Sequence, residues 1–387
     1  MSLSRRRFMI QASLGAAGLV VGGCRAARPV GGTGHVAYVG TYTSGASEGE
    51  GIYQIRLNAD GSLCRLDVTP DVPDPSFLTL SASGRVLYAV NEVTEFEGAE
   101  SGSVSAFAVD PQTGGLSLLN RRASRGGASC HLSLDASGRF LFVANYGGGN
   151  VAVLPVEADG RLGEAVEEVA FEGSGPDPDR QASPHAHMIV PDASGRRVIV
   201  TDLGADRLAA YDVDAGTGGL RHMSEASVPA GAGPRHVALS PDGSQVYVLY
   251  ELTSRLGVFA YDRDTGGFAE MQVLEAAPAT EGRNYPAHIV ASPDGRHVYV
   301  SNRGADCLAV FEVDPETGRL ALAQSVPTGG AWPRHFALDP SGRFVLVANQ
   351  NSGTVTSFEI DAGQLRPTGH TLGVPSPACI AFAPTPA

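Results

Sequence analysis

A short motif that repeats along this chain constrains its fold more than any other feature. Its plainest copy is the stretch SPDGRHVYVSNRG at 292–304. Pro293, Asp294 and Gly295 predict a tight turn, because proline presets its φ, aspartate hydrogen-bonds nearby backbone and glycine adopts positive φ. The β-branched and aromatic residues that follow predict a buried strand. A second strand at 308–313 and a third after the next glycine turn complete the unit.

The turn glycine recurs about every 50 residues, a spacing typical of propeller blades. Its copies are Gly34, Gly84, Gly138, Gly195, Gly243, Gly295 and Gly342. A second glycine-bearing turn, which is followed by an apolar residue, also occurs seven times; those apolar residues are Leu63, Leu116, Leu162, Leu220, Phe268, Leu320 and Leu365. Both features predict seven blades. A fixed repeat favours one domain, although 387 residues could hold two or three.

The first repeat lacks its opening strand, and the C-terminal end of the chain supplies a match. The segment PACIAF at 377–382 resembles the opening strands at 234–239 and 333–338. We therefore expect 377–382 to complete the first blade, so that no sheet edge stays open between the first and last blades. The prediction is an all-β fold, a single seven-bladed propeller of four-stranded blades over 34–387, after a signal peptide and linker at 1–33.

Composition agrees with this class and excludes one kind of partner. Glycine and proline are abundant, charged residues are sparse, and no long window has helical periodicity. The formal net charge of -13 argues against nucleic acid, because phosphate binding needs a basic face. Cys64, Cys130, Cys307 and Cys379 have neither metal-ligand nor redox spacing, which favours small buried hydrophobic side chains.

The N-terminal segment resembles a twin-arginine export signal. Arg5 and Arg6 precede Phe8 and an uncharged stretch at 9–23 that is too short to span a membrane comfortably. A disordered basic tail is the alternative. The run VGGC at 21–24 also resembles a lipoprotein processing site, in which Cys24 would carry a lipid anchor. We expect a periplasmic or extracellular protein, either released or membrane-anchored.

The predicted topology separates the two faces of the ring. Both short turns of each blade lie on one face, because neighbouring strands run antiparallel. The other face receives the starts of the inner strands, the ends of the second strands and the long connections 92–102, 164–183 and 275–285. Long loops on a rigid scaffold are where binding sites usually lie.

Comparing the blades separates residues that recur from residues that are unique. Histidine occupies one inner-strand position in five blades, at His131, His187, His236, His288 and His335. Such recurrence favours a structural role with hydrogen bonds between blades. The preceding residue is arginine only at Arg235 and Arg334, and charge is also exceptional at second-strand ends such as Glu251 and Arg303. Arg235, Glu251 and Arg303 are predicted to meet at the channel mouth, either as a functional site or as a structural ion-pair network.

At these residues the chain resembles the seven-bladed propeller lactonases, which include propeller-type 6-phosphogluconolactonases and the fungal carboxymuconate lactonizing enzyme. The resemblance covers about 34–384 and rests on PRH at 234–236, YEL at 250–252, AHI with SPDGRHVYVSNR at 287–303, and PRHF at 333–336. Relatives often have asparagine where this chain has Tyr250. The resemblance implies a catalytic site formed by His187, Arg235, Glu251 and Arg303.

Lactone hydrolysis needs a base that activates water and positive charge where the carbonyl oxygen becomes an oxyanion. Two neighbouring guanidinium groups should lower the pKa of Glu251, which leaves both Glu251 and His187 as candidate bases. Arg235, Arg303 and Arg334 could hold the oxyanion or an acidic substrate group. The substrate-binding candidates are Arg334, His185, His236, His288 and His335. We expect Glu251→Gln to reduce turnover and to leave folding almost unchanged.

A metal site is the alternative for His185 and His187, which lie near Asp177 and Asp179. No second ligand motif supports it, so no metal and no cofactor are predicted. The predicted function is hydrolysis of a small-molecule sugar-type lactone to the hydroxy acid by a monomeric enzyme. Export of this chain favours an unphosphorylated aldonolactone as its substrate. The alternatives are a lactonizing or cycloisomerase enzyme on an acidic substrate, and a non-catalytic surface propeller of the YVTN-repeat type.

Overall fold

Seven four-stranded antiparallel sheets follow one another along the chain in the computed structural model. The structure describes residues 34–279 and 281–384. The predicted all-β fold of seven blades is therefore confirmed. The export signal and Cys24 lie outside the described residues. Within these residues no helix is long and apolar enough to cross a membrane.

The strands of each blade run from the channel outward in chain order, except that the innermost strand of blade one comes last. Blades one and two contain β1 (Gly34–Thr41), β2 (Gly51–Asn58), β3 (Leu63–Pro70), β4 (Leu78–Leu80), β5 (Val86–Asn91), the separate hairpin β6 (Glu95–Phe96) and β7 (Ala99–Glu100), β8 (Ser103–Val109) and β9 (Leu116–Ala123). Blades three and four contain β10 (Ser129–Leu134), β11 (Phe140–Asn145), β12 (Asn150–Pro155), β13 (Glu167–Ala170), β14 (Ala186–Pro191), β15 (Arg197–Asp202), β16 (Arg207–Val213) and β17 (Leu220–Ser227). Blades five and six contain β18 (Pro234–Leu239), β19 (Gln245–Tyr250), β20 (Arg255–Tyr261), β21 (Phe268–Glu275), β22 (Tyr285–Ala291), β23 (His297–Arg303), β24 (Cys307–Val313) and β25 (Leu320–Pro327). Blade seven and the closing strand comprise β26 (Pro333–Leu338), β27 (Phe344–Asn349), β28 (Thr354–Asp361), β29 (Gln364–Gly373) and β30 (Pro377–Phe382).

The C-terminal strand closes the ring, as predicted. β30 pairs antiparallel with β1, with Val39 opposite Ile380, and the strand order of blade one is β3-β2-β1-β30. The first and last strands of the described chain therefore share one hydrogen-bonded sheet, and blade one cannot form completely without both ends.

Apolar side chains join every pair of neighbouring blades. Seven buried hydrophobic clusters occur in the described residues, and each contains residues from two adjacent blades. The cluster between blades seven and one includes Ile380, Val39, Tyr53 and Leu346. Burial of apolar surface between blades is the main favourable term that holds such a ring together. The four predicted buried cysteines are also buried.

The predicted turns form as expected in six of the seven repeats. Gly84, Gly138, Gly195, Gly243, Gly295 and Gly342 have φ between 66° and 70°. In the motif at 292–297, Ser292 Oγ donates to Asp294 Oδ1 at 2.5 Å and accepts from the His297 amide at 2.9 Å. The exception is Gly34, which begins β1.

The outer strand of blade three also differs from the sequence prediction. Leu162 forms only an isolated bridge with Val156, and β13 begins at Glu167. Pro155 at the end of β12 has no amide hydrogen to donate, which interrupts the ladder beside it. The connection after β13 runs from 171 to 185, and β14 begins at Ala186.

Ring closure predicts that a core substitution in the closing strand affects the whole domain. Ile380→Ala should lower the free energy of unfolding by about 2–5 kcal/mol, because it leaves a cavity between blades one and seven. Urea unfolding followed by circular dichroism measures the change. Leu118→Ala is the control, since that side chain is 55% exposed and its loss should change stability by less than about 0.5 kcal/mol. Equal effects of the two substitutions would contradict the role of closure.

Candidate active site

Glu251 is a buried carboxylate that three guanidinium groups surround. Its Oε2 lies 2.9 Å from Arg235 Nε and 2.8 Å from Arg303 Nη2. Its Oε1 accepts a hydrogen bond from Arg180 Nη2 at 2.7 Å. The side chains of Glu251, Arg235 and Arg303 are only 3–6% exposed. The structure thus brings together the three charged residues that the sequence placed at the channel mouth, and it adds Arg180.

Strand ends and a bulge position this cluster. Glu251 directly follows β19, and its amide donates to Gly233 O at 2.8 Å. Arg303 is the last residue of β23. In β18 the register shifts after Pro234, so that Arg235 and His236 together oppose one residue of β19. Such a bulge re-aims side chains, and here two consecutive side chains both face the channel.

Arg180 comes from the long connection between β13 and β14. It lies within 164–183, one of the connections predicted to carry binding residues. Comparison of blades could not identify it, because this loop has no counterpart in the other repeats. Its Nη2 also contacts the Tyr146 hydroxyl at 3.3 Å, and its side chain is 37% exposed. Arg180 is therefore the accessible member of the cluster.

Two guanidinium N–H groups in the cluster lack an aligned acceptor. Arg235 Nη1 donates to Ala287 O, and Arg303 Nε donates to Tyr285 O at 3.2 Å. Arg235 Nε and Arg303 Nη2 are buried and lie at ion-pair distance from Glu251 Oε2, although neither is aligned with it as a hydrogen bond. Positive charge is thus concentrated beside Glu251. Guanidinium groups suit an oxyanion or another anionic oxygen.

Burial and neighbouring charge set the protonation of the cluster. Burial raises the pKa of Glu251, but the Arg303 and Arg235 guanidinium groups outweigh burial and hold that pKa well below its usual range. Burial and then Arg235 lower the pKa of His187 well below its usual range, while Glu251 acts in the opposite direction. At neutral pH the site therefore contains an ionised Glu251 and a neutral His187.

His187 lies at the junction of the charged cluster and the channel. Its ring makes edge contacts with Tyr146 at 5.6 Å and with His236 at 5.2 Å between centroids. Cys130 Sγ lies 3.9 Å from its Nδ1. His185 instead stacks on Tyr146 at 4.3 Å, and its Nδ1 lies 2.7 Å from Tyr146 O. His185 thus contacts the ring and backbone of Tyr146, whose hydroxyl group reaches Arg180.

The remaining inner-strand histidines fill the channel with Phe77. His236 Nδ1 lies 2.9 Å from His288 Nδ1, and the rings of His288 and His335 stack at 3.9 Å. Phe77 packs against His131 at 4.3 Å and against His335 at 5.5 Å. Burial lowers the pKa of His131 and of His335 to about 3, so these rings are neutral. Contacts between blades agree with the structural role that recurrence indicated, although His236 Nε2 lacks a partner among the described residues.

Arg334 belongs to a second charged group, formed with residues of blades one and two. Tyr42 donates to Glu92 Oε2 at 2.7 Å, and Arg334 Nη2 lies 3.8 Å from the same oxygen. The Arg334 guanidinium lies over the Tyr42 ring at 5.0 Å. Glu92 and Arg334 together add no net charge, so the mouth keeps the positive excess that surrounds Glu251.

Tyr250 does not join the charged cluster. It is fully buried in the hydrophobic cluster between blades four and five. It is the last residue of β19 and immediately precedes Glu251.

The metal alternative finds no support in the described part of the chain, where no group of three or more candidate ligands could hold a metal ion. Asp177 Oδ1 instead accepts the backbone amides of Asp179 and Arg180 at 3.0 and 3.1 Å. A cleft of about 440 Å³ opens on the other face, where Asp294 and Asp314 accept hydrogen bonds from their own turns. It contains none of the clustered arginines.

Known proteins match almost the whole described chain. Residues 36–382 match the family model "Lactonase, 7-bladed beta-propeller". The 6-phosphogluconolactonase of Bacillus subtilis is 36% identical over 300 residues, which cover 77% of this chain and 83% of that protein. The solved structure of the periplasmic gluconolactonase of Pseudomonas aeruginosa is 36% identical, with a TM-score of 0.83 and coverage of 91% of this chain and 100% of that chain. A protein from Lactobacillus plantarum has a TM-score of 0.83 at 34% identity, covering 90% of this chain and 99% of that chain.

The burial of Glu251 revises one expectation from the sequence. Glu251→Gln leaves three guanidinium groups without their carboxylate, so it should destabilise the fold by about 3–5 kcal/mol instead of leaving it unchanged. The ionised form is stabilised in the folded protein. This contribution is therefore complete above the unfolded pKa of about 4.3 and decreases as pH falls towards the lower folded pKa. Urea unfolding at several pH values should show that the difference from the parent narrows in acid.

Glu275→Gln is the matched control for this measurement. Glu275 pairs with Arg255 at 3.3 Å on the surface, where both side chains are more than half exposed. Its replacement should cost less than about 1 kcal/mol. A Glu251→Gln protein as stable as the control would show that the cluster is not a buried charge assembly.

Proposed function

This chain belongs to the seven-bladed β-propeller lactonase family, and we propose that it hydrolyses a sugar lactone at the Glu251 cluster. The observation that carries this assignment is the buried group in which Arg235 and Arg303 flank an ionised Glu251 beside the neutral imidazole of His187. Ester hydrolysis uses this combination, because a proton acceptor and fixed oxyanion donors act on the same carbonyl group.

His187 accepts the proton in the proposed mechanism. A water molecule attacks the lactone carbonyl carbon, a C–O bond forms, and the water proton passes to the neutral imidazole of His187. The pKa of Glu251 and the pKa of His187 are both held low, so each is a weak base; His187 is proposed as the acceptor because the charge of Glu251 favours its imidazolium form. The carbonyl oxygen becomes an oxyanion that accepts hydrogen bonds from Arg235 and Arg303.

Ring opening reverses the proton transfer. The tetrahedral intermediate collapses, the bond between carbonyl carbon and ring oxygen breaks, and the imidazolium of His187 returns its proton to the ring oxygen. The products are a hydroxyl group and a carboxylic acid on one chain, the hydroxy acid, which ionises at neutral pH. Arg334 is proposed to bind substrate at the other side of the mouth, since it has only one long ion pair, to Glu92 at 3.8 Å.

Two substitutions test these roles. His187→Gln removes the proton acceptor and should lower kcat about 10²-fold or more. Arg303→Lys keeps the charge but loses the planar group that reaches both Tyr285 O and Glu251, so kcat should fall about 10²-fold, and urea unfolding checks that the variant is folded. Hydrolysis of glucono-δ-lactone, followed by acid release above the uncatalysed rate, gives kcat and KM.

Exposed residues of the same types serve as controls. His222 is half exposed and Arg255 pairs only with Glu275, so His222→Gln and Arg255→Lys should retain parental rates. Full activity in His187→Gln or Arg303→Lys would refute the site, and the charges would then be a structural network that closes the channel mouth.

The protein is further proposed to act outside the cytoplasm. The arginine pair and apolar stretch at 5–23 support export by the twin-arginine route, and one related structure is that of a periplasmic gluconolactonase. Cys24 is the proposed attachment point if a lipid anchor is added.

Replacing Arg5 and Arg6 by lysine should retain the protein inside the cell. The substitution preserves charge, so only recognition of the arginine pair is removed. Fractionation with immunoblotting measures the distribution, and Arg7→Lys, which leaves the pair intact, should be exported normally. Normal export of the double-lysine variant would exclude the twin-arginine route.

A further inference from the structure

Arg180 differs from the other two arginines around Glu251 in its exposure and in how its charge is held. Its side chain is 37% exposed, whereas those of Arg235 and Arg303 are 3% and 6% exposed. Among the described residues its guanidinium has no backbone acceptor such as those that hold Arg235 and Arg303, and it bonds Glu251 Oε1 at 2.7 Å and the Tyr146 hydroxyl at 3.3 Å. Its guanidinium is thus the member that an incoming ligand can reach.

The backbone that carries Arg180 is fixed. The Gln181 side chain is fully buried and donates to Leu203 O at 2.9 Å and to Asp206 Oδ1 at 2.8 Å. Asp177 accepts the Arg180 amide at 3.1 Å. Any rearrangement at Arg180 therefore involves its side chain, while its Cα stays in place.

The buried carboxylate of Asp206 also positions Arg180 relative to Arg235. Asp206 Oδ1 also accepts the Gly233 amide at 2.7 Å, and Gly233 O accepts the Glu251 amide at 2.8 Å. Asp206 Oδ2 accepts the Gly231 amide at 2.6 Å. One side chain thus joins the Arg180 loop, the segment before β18 and the backbone of Glu251.

The charges at the mouth favour an anionic ligand. Three guanidinium groups surround one carboxylate, and Arg334 with Glu92 adds one charge of each sign. The local positive excess contrasts with a net charge of -13 for the chain. A positively charged mouth attracts anions and raises their local concentration.

We propose that Arg180 is a specificity residue. Its guanidinium moves away from Glu251 and binds an acidic group, a carboxylate or a phosphate, on the lactone. This inference rests on the proposed function. When Arg180 exchanges Glu251 for the acidic group of the substrate, its guanidinium remains paired. Glu251 then keeps Arg235 and Arg303 as its arginine partners. Glu251 then favours the imidazolium form of His187 more strongly, so an acidic substrate is bound more tightly and also promotes the proton transfer.

Three lactones separate the components of this proposal. Glucono-δ-lactone is neutral, its 6-phosphate carries a phosphate, and glucaro-1,4-lactone carries a carboxylate. The parent should have a higher kcat/KM for at least one acidic lactone than for the neutral one, and the preferred acid identifies the group. Arg180→Gln should reduce kcat/KM for that acidic lactone about tenfold or more, mainly through KM, and reduce kcat/KM for the neutral lactone by a smaller factor, because the neutral lactone has no anionic group for Arg180 to bind.

The pH profile tests the electrostatic contact between Arg180 and Glu251, whereas the comparison of acidic and neutral lactones distinguishes substrate binding from a structural role. The groups facing Glu251 are Arg180, Arg235, Arg303 and His187, with Arg334 nearby. Removal of one positive charge makes the Glu251 carboxylate easier to protonate, so the acid limb of kcat for glucono-δ-lactone should move to higher pH in Arg180→Gln. Arg180→Lys keeps a charge and should restore part of the acidic preference.

Arg255→Gln is the control, because it removes an exposed arginine that pairs with a glutamate on the same face. Equal losses for neutral and acidic lactones in Arg180→Gln, with the acid limb unmoved, would overturn the proposal. A parent without preference for acidic lactones would overturn it too. A parent that hydrolyses none of the three lactones would instead refute the proposed function.

Discussion

The pairing of β30 with β1 is the interaction on which the rest of this structure depends. Each blade is a small sheet that cannot bury both of its faces alone, and every hydrophobic cluster in the described residues is shared by two blades. An open arc of blades would expose one apolar face at each end. Closure through the two chain ends removes both exposed faces and fixes the diameter of the channel. The site residues, which come from several blades, are held at constant distances for that reason.

Because the ring is rigid, it can hold positively charged side chains close together in a buried site. Arg235 and Arg303 repel each other, and burial also disfavours their charges. The negative charge of Glu251 offsets part of the free energy that burying these two charges costs. One N–H group of each arginine also donates to a backbone carbonyl. The ion pairs with Glu251 and these backbone contacts orient both guanidinium groups. Preorganised donors of this kind stabilise developing negative charge without rearrangement during the reaction.

The sequence predicts the ring, its closure and the core of the charged cluster, because each depends on repetition. Turn glycines define the blades, and residues that break the repeat, Arg235, Glu251 and Arg303, mark the mouth. The same logic cannot identify Arg180, which lies in a connection that has no equivalent in other blades. Nor can it reveal Asp206, whose importance comes from three hydrogen bonds to segments distant in sequence. Residues like these become visible only when the loops are placed in space.

The burial of Glu251 could not be predicted from the sequence either, because a strand end at a channel mouth can be exposed to solvent or buried. Pattern alone therefore suggested that a neutral replacement would be harmless to folding. In the structure, the bulge in β18 brings Arg235 against Glu251, and the Arg180 loop covers the other carboxylate oxygen. The contribution of Glu251 to stability therefore depends on the bulge and the loop, and the repeat pattern predicts neither of them.

The stacked histidines and Phe77 pack against one another in the channel, with ring centroids 3.9–6.1 Å apart. If hydrolysis takes place at Glu251 as proposed, a neutral lactone becomes a hydroxy acid whose carboxylate carries a negative charge. The guanidinium groups around Glu251 attract that charge more strongly than they attract the neutral lactone. Retention of product is therefore a consequence of the same concentration of positive charge that favours the reaction.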